Sequence, residues 1–390
     1  MKKYITIGAS ELDTYLDYTI FSIISIYMFS ATPFEMGLLG ACFAFPFFVF
    51  GKWFGKVFDK YNVQILRGGL FFSVIILMPL LLLADSMVSL YFILLMKISC
   101  RCGLNVSNPK LNKDENESKK FYEICGYLVN ISRIGIPLLV TFFYGTFGLW
   151  SVVIISLLLN IIGLLFSIFD NERYFNDGDI NNKSILKNNF SLRKEMKDKP
   201  ELYLLIIAYT LSNLSFFLSN DMLSIFFEFI GESEESVGYI ITMLGLGGIV
   251  GTKISSFMMG KLSSNHVFLL SLVVNSIVFT AFGFLNETVV SVYFYYFLIF
   301  LTGLASGIIF VSFRFGIRRL VDFSNLAKVT GGIQKISSVI AICMPVLGGY
   351  LANLYSITFT FKVTGIALFI ILIFCSIKTV NLHSGRRINA

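Results

Sequence analysis

Apolar residues fill blocks of about twenty along nearly the whole chain, separated by short clusters of charged and turn-forming residues. A bilayer core about 30 Å thick needs about 20 apolar residues per helix. The blocks fall near 11–31, 35–57, 67–84, 87–107, 120–143 and 148–169, then near 202–229, 236–258, 267–285, 289–313, 327–353 and 356–377. Barrel strands run about ten residues and alternate between polar and apolar, which these blocks do not. The pattern predicts an all-α membrane protein with twelve transmembrane helices. A polar stretch over 171–201 divides them into a six-helix bundle over 1–170 and a second over 202–390.

Composition agrees with this and narrows the chemistry. Of 390 residues, 56% are hydrophobic and 14% charged, and mean hydropathy is +0.77. Soluble domains carry about 25% charged residues, so a globular surface is excluded. Two histidines and six scattered cysteines offer neither a metal cluster nor a disulfide framework. The chain lacks a GxxxxGK[ST] phosphate loop, and no nucleophile–base set gathers at one membrane face. No enzyme activity and no cofactor are expected. Gly245-x-Gly247-Gly248-x-x-Gly251 lies within an apolar run and reads as close helix packing, as do Gly51-x-x-x-Gly55 and Gly303-x-x-x-Gly307. Met1-Lys2-Lys3 is followed by an acidic stretch, Glu11 to Asp17, unlike a cleavable leader.

The connections sort by charge. Those near 30–36, 84–88, 144–149, 229–236, 285–290 and 352–357 hold no Lys or Arg, and include Glu35, Asp85, Glu232, Glu234, Glu235 and Glu287. The alternate set holds Lys56, Lys60, Arg67, Lys110, Lys113, Lys119, Lys120, Arg318, Arg319, Arg386 and Arg387. By the positive-inside rule the second set is cytoplasmic, as are both termini. The net charge of +7 is then membrane topology, with no nucleic-acid partner implied. Ser191 to Lys199 reads either as a short basic helix on the inner leaflet or as a solvated linker.

The halves repeat. Gly37, Lys52 and the closing Gly55-Lys56-Val57-Phe58-Asp59-Lys60 of span two correspond to Gly238, Lys253 and Ser256-Phe257-Met258-Met259-Gly260-Lys261 of span eight. Cys125-Gly126 and Asn130-Ile131-Ser132 of span five correspond to Thr330-Gly331 and Lys335-Ile336-Ser337 of span eleven. Parallel repeats of this kind relate the halves of many transporters.

Gly55-x-x-x-Asp59-Lys60-x-Asn62, ahead of Arg67, resembles the signature between spans two and three of the major facilitator superfamily. Asn62 stands where that pattern has its second glycine, and Val63-Gln64 where it has a basic pair. A narrower similarity is to the macrolide-efflux and enterobactin-exporter branch. It rests on Pro46 before Gly51 and Gly55, Gly103 with Pro109-x-Leu111-Asn112, and Lys328-Val329-x-Gly331 leading to Pro345. Gly126, Gly135 and Pro137 resemble part of the antiporter motif of drug exporters. The resemblance implies a central cavity lined by spans one, four, seven and ten, proton-driven export, and a monomer in the cell membrane. It makes Gly55, Asp59 and Lys60 a cytoplasmic gating motif.

Ionisable groups inside spans are costly and usually functional. Asp13 and Asp17 are four apart in span one, as are Lys97 and Arg101 in span four, so each pair shares a helix face. Counted from the cytoplasmic ends, Asp17 and Arg101 lie at equal depth and are placed to pair, with Lys97 nearer the midplane. Asp13 is expected at the membrane edge, its charge merely tolerated. Asp17 and Asp221 are the proton-coupling candidates. Lys97, Arg101, Arg133, Asn220, Arg314 and Lys335 are the substrate-binding candidates. The excess of cations within spans favours an anionic, metallophore-like substrate over a cationic drug. The reading is a proton-coupled exporter of a small organic molecule, working by alternating access. Uptake by the same fold and a non-transporting membrane sensor are its alternatives.

Overall fold

The computed structural model describes residues 2–107, 115–168, 196–197, 199–259, 261–285, 290–321 and 323–388. Its helices are α1 (Lys2–Ile23, continued by a wider turn over Ile24–Met28), α2 (Pro33–Lys60), α3 (Val63–Leu77, tightening over Met78–Leu83) and α4 (Met87–Val106). After these come α5 (Glu115–Phe147), α6 (Leu149–Ile168), α7 (Pro200–Ser219), α8 (Met222–Phe229) and α9 (Glu235–Met258). The last are α10 (Ser264–Phe284), α11 (Val292–Leu320), α12 (Phe323–Leu354) and α13 (Ile357–Ile388). The expected span seven is thus two helices, broken at Asn220-Asp221. The basic stretch over 191–195 and the segment 108–114, which holds Pro109-x-Leu111-Asn112, lie outside the described residues.

Among the described residues, 10 helical stretches are long and apolar enough to cross a membrane. The helices that fall short are the charged ones. α1 carries Glu11, Asp13 and Asp17, and the first turns of α5 carry Glu115, Glu117, Lys119 and Lys120. α1 also begins nine residues before the expected start of span one.

Contacts divide the chain into two compact units. One comprises Met1–Ala31, Cys42–Leu186 and Phe227–Thr242; the other comprises Thr32–Ala41, Lys187–Phe226 and Met243–Ala390. In the first, α1 packs on α5 and α6, and α3 packs on α4 and α6. In the second, α7 packs on α12 and α13, and α10 packs on α11 and α13. With α7 and α8 counted as one span, the two patterns are the same: first with fifth and sixth, third with fourth and sixth. That is the parallel repeat read from the sequence.

Small residues set the closest approaches in the second unit. Gly247 and Gly251 of α9 face the backbone of Phe300 and Leu304 on α11, while Gly303 and Gly307 face Leu244 and Gly248 in return. With no hydrophobic drive between helices in lipid, such backbone approach carries much of the packing. The expectation fails for Gly51 and Gly55. Among the described residues, nothing lies within 4 Å of where a Cβ would stand on either, because this stretch of α2 turns exposed aromatic residues such as Phe50 and Trp53 outward.

Side chains of the cation-free connections cap helices. Glu35 accepts from the Thr32 amide and hydroxyl at the start of α2, each at 2.8 Å. Ser86 and Ser89 form a capping box that opens α4. Hydrogen bonds from Ser86 and Ser89 beside it hold the Asp85 carboxyl below its ordinary range.

Candidate functional site

Three helices of the first unit bring polar residues to one point, each through an i, i+4 pair. α1 supplies Asp13 and Asp17, α4 supplies Lys97 and Arg101, and α6 supplies Ser156 and Asn160. Because α1 and α4 contact each other as antiparallel helices, the pairs match in reverse order. Lys97 Nζ donates to Asp17 Oδ1, and the Arg101 guanidinium grips Asp13 Oδ2. Cross-pairs complete the quartet, with Lys97 3.5 Å from Asp13 and Arg101 Nε 3.7 Å from Asp17 Oδ2. Asp13, Asp17 and Lys97 are 0% exposed and Arg101 1%.

This corrects the expectation for Asp13. The helix does not start near it: α1 starts at Lys2, so Asp13 stands 11 residues in, about 16 Å along the helix axis, and is 0% exposed. The same shift of register pairs Asp17 chiefly with Lys97, leaving Arg101 to Asp13.

Desolvating an ion costs several kcal/mol, offset only by close opposite charge and further hydrogen bonds. The two carboxylates do not share these equally. Asp13 accepts from the Ser156 hydroxyl and from the Asn160 amide at 2.8 Å, besides its ion pairs. Arg101 Nη1 donates to the Ser10 carbonyl at 2.9 Å and hydroxyl at 3.0 Å, and Lys97 reaches Ser156 Oγ at 3.3 Å and Met78 Sδ at 3.1 Å. Among the described residues, Asp17 Oδ2 is buried without a hydrogen bond, with Arg101 Nε 3.7 Å away. Asp13 is therefore anchored, whereas Asp17 keeps one oxygen free of donors.

The remaining candidates lie outside this cluster. Asn220 donates to Asp221 Oδ1 at 3.1 Å in the break between α7 and α8, and the Asp221 carboxylate lies against Gly40 of α2. Arg133, on α5, is half-buried and within electrostatic reach of Tyr15. Lys335 is exposed on α12. Arg314 is exposed on α11 and stacks on Phe310, 4.1 Å from its ring centroid. Of the gating motif, Gly55 faces open space and Lys60 closes α2 over the Tyr61 ring at 5.3 Å; the Asp59 side chain is outside what the structure describes.

Sequence reasoning missed Ser10, Ser156 and Asn160, and, although spans seven and ten were expected to line a cavity, it did not name the side chains around the one of about 180 Å³ between α7 and α11. A polar i, i+4 pair inside the apolar run of α6 was the signal for Ser156 and Asn160. On α7 the signal was Tyr209, Ser212, Asn213, Phe216 and Phe217, spaced i, i+3, i+4, i+7 and i+8 along one face.

Residues 205–384 match the family model described as Major Facilitator Superfamily. No curated protein matches the chain. Among solved structures, the fold resembles nucleoside transporter NupG, with a TM-score of 0.73 at 12% identity over 97% of this chain and 99% of that one. It also resembles a bacterial homologue of the human lysosomal transporter Spinster, inward-facing and unoccupied, with a TM-score of 0.69 at 13% identity over 96% of this chain and 94% of that one. The architecture is the major facilitator fold, and the family model matches the second half of the chain.

Proposed function

We propose that this chain is a proton-coupled secondary transporter of small organic molecules, working as a monomer by alternating access. The observation that carries the reading is the sealed quartet of Asp13, Asp17, Lys97 and Arg101, whose charges sum to zero. Protonating Asp17 at its donor-free oxygen leaves the quartet at +1 and releases Lys97 toward Asp13 and Ser156. A switch of partners between α1 and α4 is a two-state element that proton binding biases. Asp221, set against Gly40 at the break in span seven, is a second proton-coupling candidate in this scheme. Gly55, Asp59 and Lys60 are the proposed cytoplasmic gate.

The two six-span halves, joined through 171–201, are the bodies proposed to move in alternating access. The segregation of Lys and Arg supports a cell-membrane topology with cytoplasmic termini. The direction proposed is export, on the strength of Gly126, Gly135 and Pro137 in α5. An exclusively anionic cargo has lost support, since Lys97 and Arg101 are each held by buried carboxylates.

Alternating access can be tested without knowing the cargo. Spin labels at Tyr61→Cys and Arg318→Cys, in a background lacking native cysteines, report distance populations by double electron–electron resonance. Two populations whose ratio moves with pH, and stays fixed in Asp17→Asn, support the proposal. A single pH-independent distance in the otherwise unaltered protein overturns it.

A further inference from the structure

We infer that the cavity between α7 and α11 takes an uncharged planar ring bearing a neutral hydrogen-bonding group, and discriminates against charged molecules of the same shape. The inference rests on the transport reading only in treating that ligand as cargo; binding itself does not depend on it.

The size sets the first limit. An apolar cavity of about 150 Å³ holds a benzene molecule, so the ≈ 180 Å³ here suits a single ring with a small substituent. The walls set the chemistry. Phe216, Phe217 and Phe310 contribute rings, and aromatic pairs gain from offset or edge contact beyond simple burial. Tyr209, itself stacked on Phe313 at 3.6 Å between centroids, adds a fourth ring held in a fixed plane.

Three neutral polar side chains share these walls: Ser212 and Asn213 on α7, and Ser306 on α11. Together they present hydroxyls and one amide, which both donate and accept. They match a carboxamide, hydroxyl or ring nitrogen, and they are too polar for an acyl chain. None of the described lining residues is charged. Arg314, one turn beyond Phe310, is not among the lining residues and places its guanidinium over the Phe310 ring, 4.1 Å from its centroid. At these walls an ion finds no opposite charge among the described lining residues to replace the water it sheds, whereas an amide exchanges water for Asn213 and the serines.

Three probes of one shape separate the possibilities: benzamide, benzoate and benzylammonium. Their binding to the purified full-length chain in detergent can be followed by ligand-observed magnetic resonance. Benzamide is expected to bind at least about tenfold more tightly than either ion, the penalty for an unpaired buried charge exceeding that factor. Asn213→Leu should weaken benzamide by about tenfold. Asn213→Asp, which keeps the side-chain shape, should reverse the order and favour benzylammonium; thermal unfolding confirms that both variants are folded. Equal or tighter binding of benzoate or benzylammonium to the unaltered chain overturns the inference. So does an Asn213→Asp variant with the order unchanged, or binding of none of the three. Proton-linked flux of a charged compound alongside failed benzamide binding sinks the ligand class and leaves transport standing. Benzamide binding in a chain that moves nothing sustains the cavity and sinks transport.

Discussion

Replacing Lys97 by methionine keeps the length of the side chain and deletes its charge, so it isolates the electrostatics of the quartet. Asp17 Oδ2 already has no hydrogen bond, and the substitution also strips Oδ1 of its donor. What remains near Asp17 is Arg101 Nε at 3.7 Å, and the quartet carries −1. Removing one partner of a buried ion pair costs about 3–5 kcal/mol, and the similar volume of methionine adds little cavity penalty. Asp17→Asn alone should cost less, because Lys97 still has Asp13 at 3.5 Å and Ser156 at 3.3 Å. With both changes the stranded charge disappears, and neutral replacement of a buried pair is often neutral or stabilising by about 1–4 kcal/mol. The double variant should therefore be more stable than Lys97→Met alone, with a coupling of about 3 kcal/mol. Thermal unfolding of the four purified proteins at one pH completes the cycle. Additive destabilisation, with the double variant worse than either single one, would refute a direct Asp17–Lys97 interaction. The rescued double variant should still lack proton coupling, which separates folding from function.

Asp13→Asn should destabilise by about 3–5 kcal/mol, because it frees Arg101 of its closest counter-charge and disturbs Ser156 and Asn160; thermal unfolding reads this. Gly251→Leu should lower yield and thermal stability sharply by driving a side chain into the Leu304 carbonyl of α11, whereas Gly55→Ala, with open space around it, should gain about 0.5–1 kcal/mol of helix propensity. Ser86→Ala should cost about 1 kcal/mol through the lost cap of α4, measured by unfolding or by amide exchange in its first turn. Asp85 titrates below its ordinary value in the folded chain, so its contribution is present above the unfolded value of about 3.9 and is lost as pH falls through the lower folded value. Asp85→Asn should remove that part of the acid sensitivity, and an unchanged acid profile would count against the Ser86 and Ser89 hydrogen bonds.

Most of the fold was legible because a bilayer imposes length and apolarity on every crossing element. α2 through α4, α6 and α9 through α13 follow from runs of hydrophobic residues. The repeat was legible because Gly37 and Gly238 open matching helices. Harder to read was α1, where Asp13 and Asp17 interrupt the apolar run and obscure a start at Lys2. The error of register that followed misplaced Asp13, and with it the partners of Lys97 and Arg101. The break at Asn220-Asp221 was hidden because hydropathy is insensitive to whether one helix or two fills a span. The side chains that line the cavity between α7 and α11 were missed for another reason. Sequence reasoning sought charge, and this site is built from serine, asparagine and aromatic rings. Those residues stand out only when their helical spacing is counted.

Substrate-linked proton movement through Asp17 is the claim on which this account turns, and proteoliposomes with an internal pH dye measure it directly. Vesicles loaded to an acid interior and offered single-ring neutral, anionic and cationic compounds should show proton efflux with at least one of them. Asp17→Asn vesicles, holding equal amounts of folded protein, should show none while still exchanging labelled cargo. Full proton efflux in Asp17→Asn, or cargo movement in the unaltered protein with no proton signal, would contradict the account.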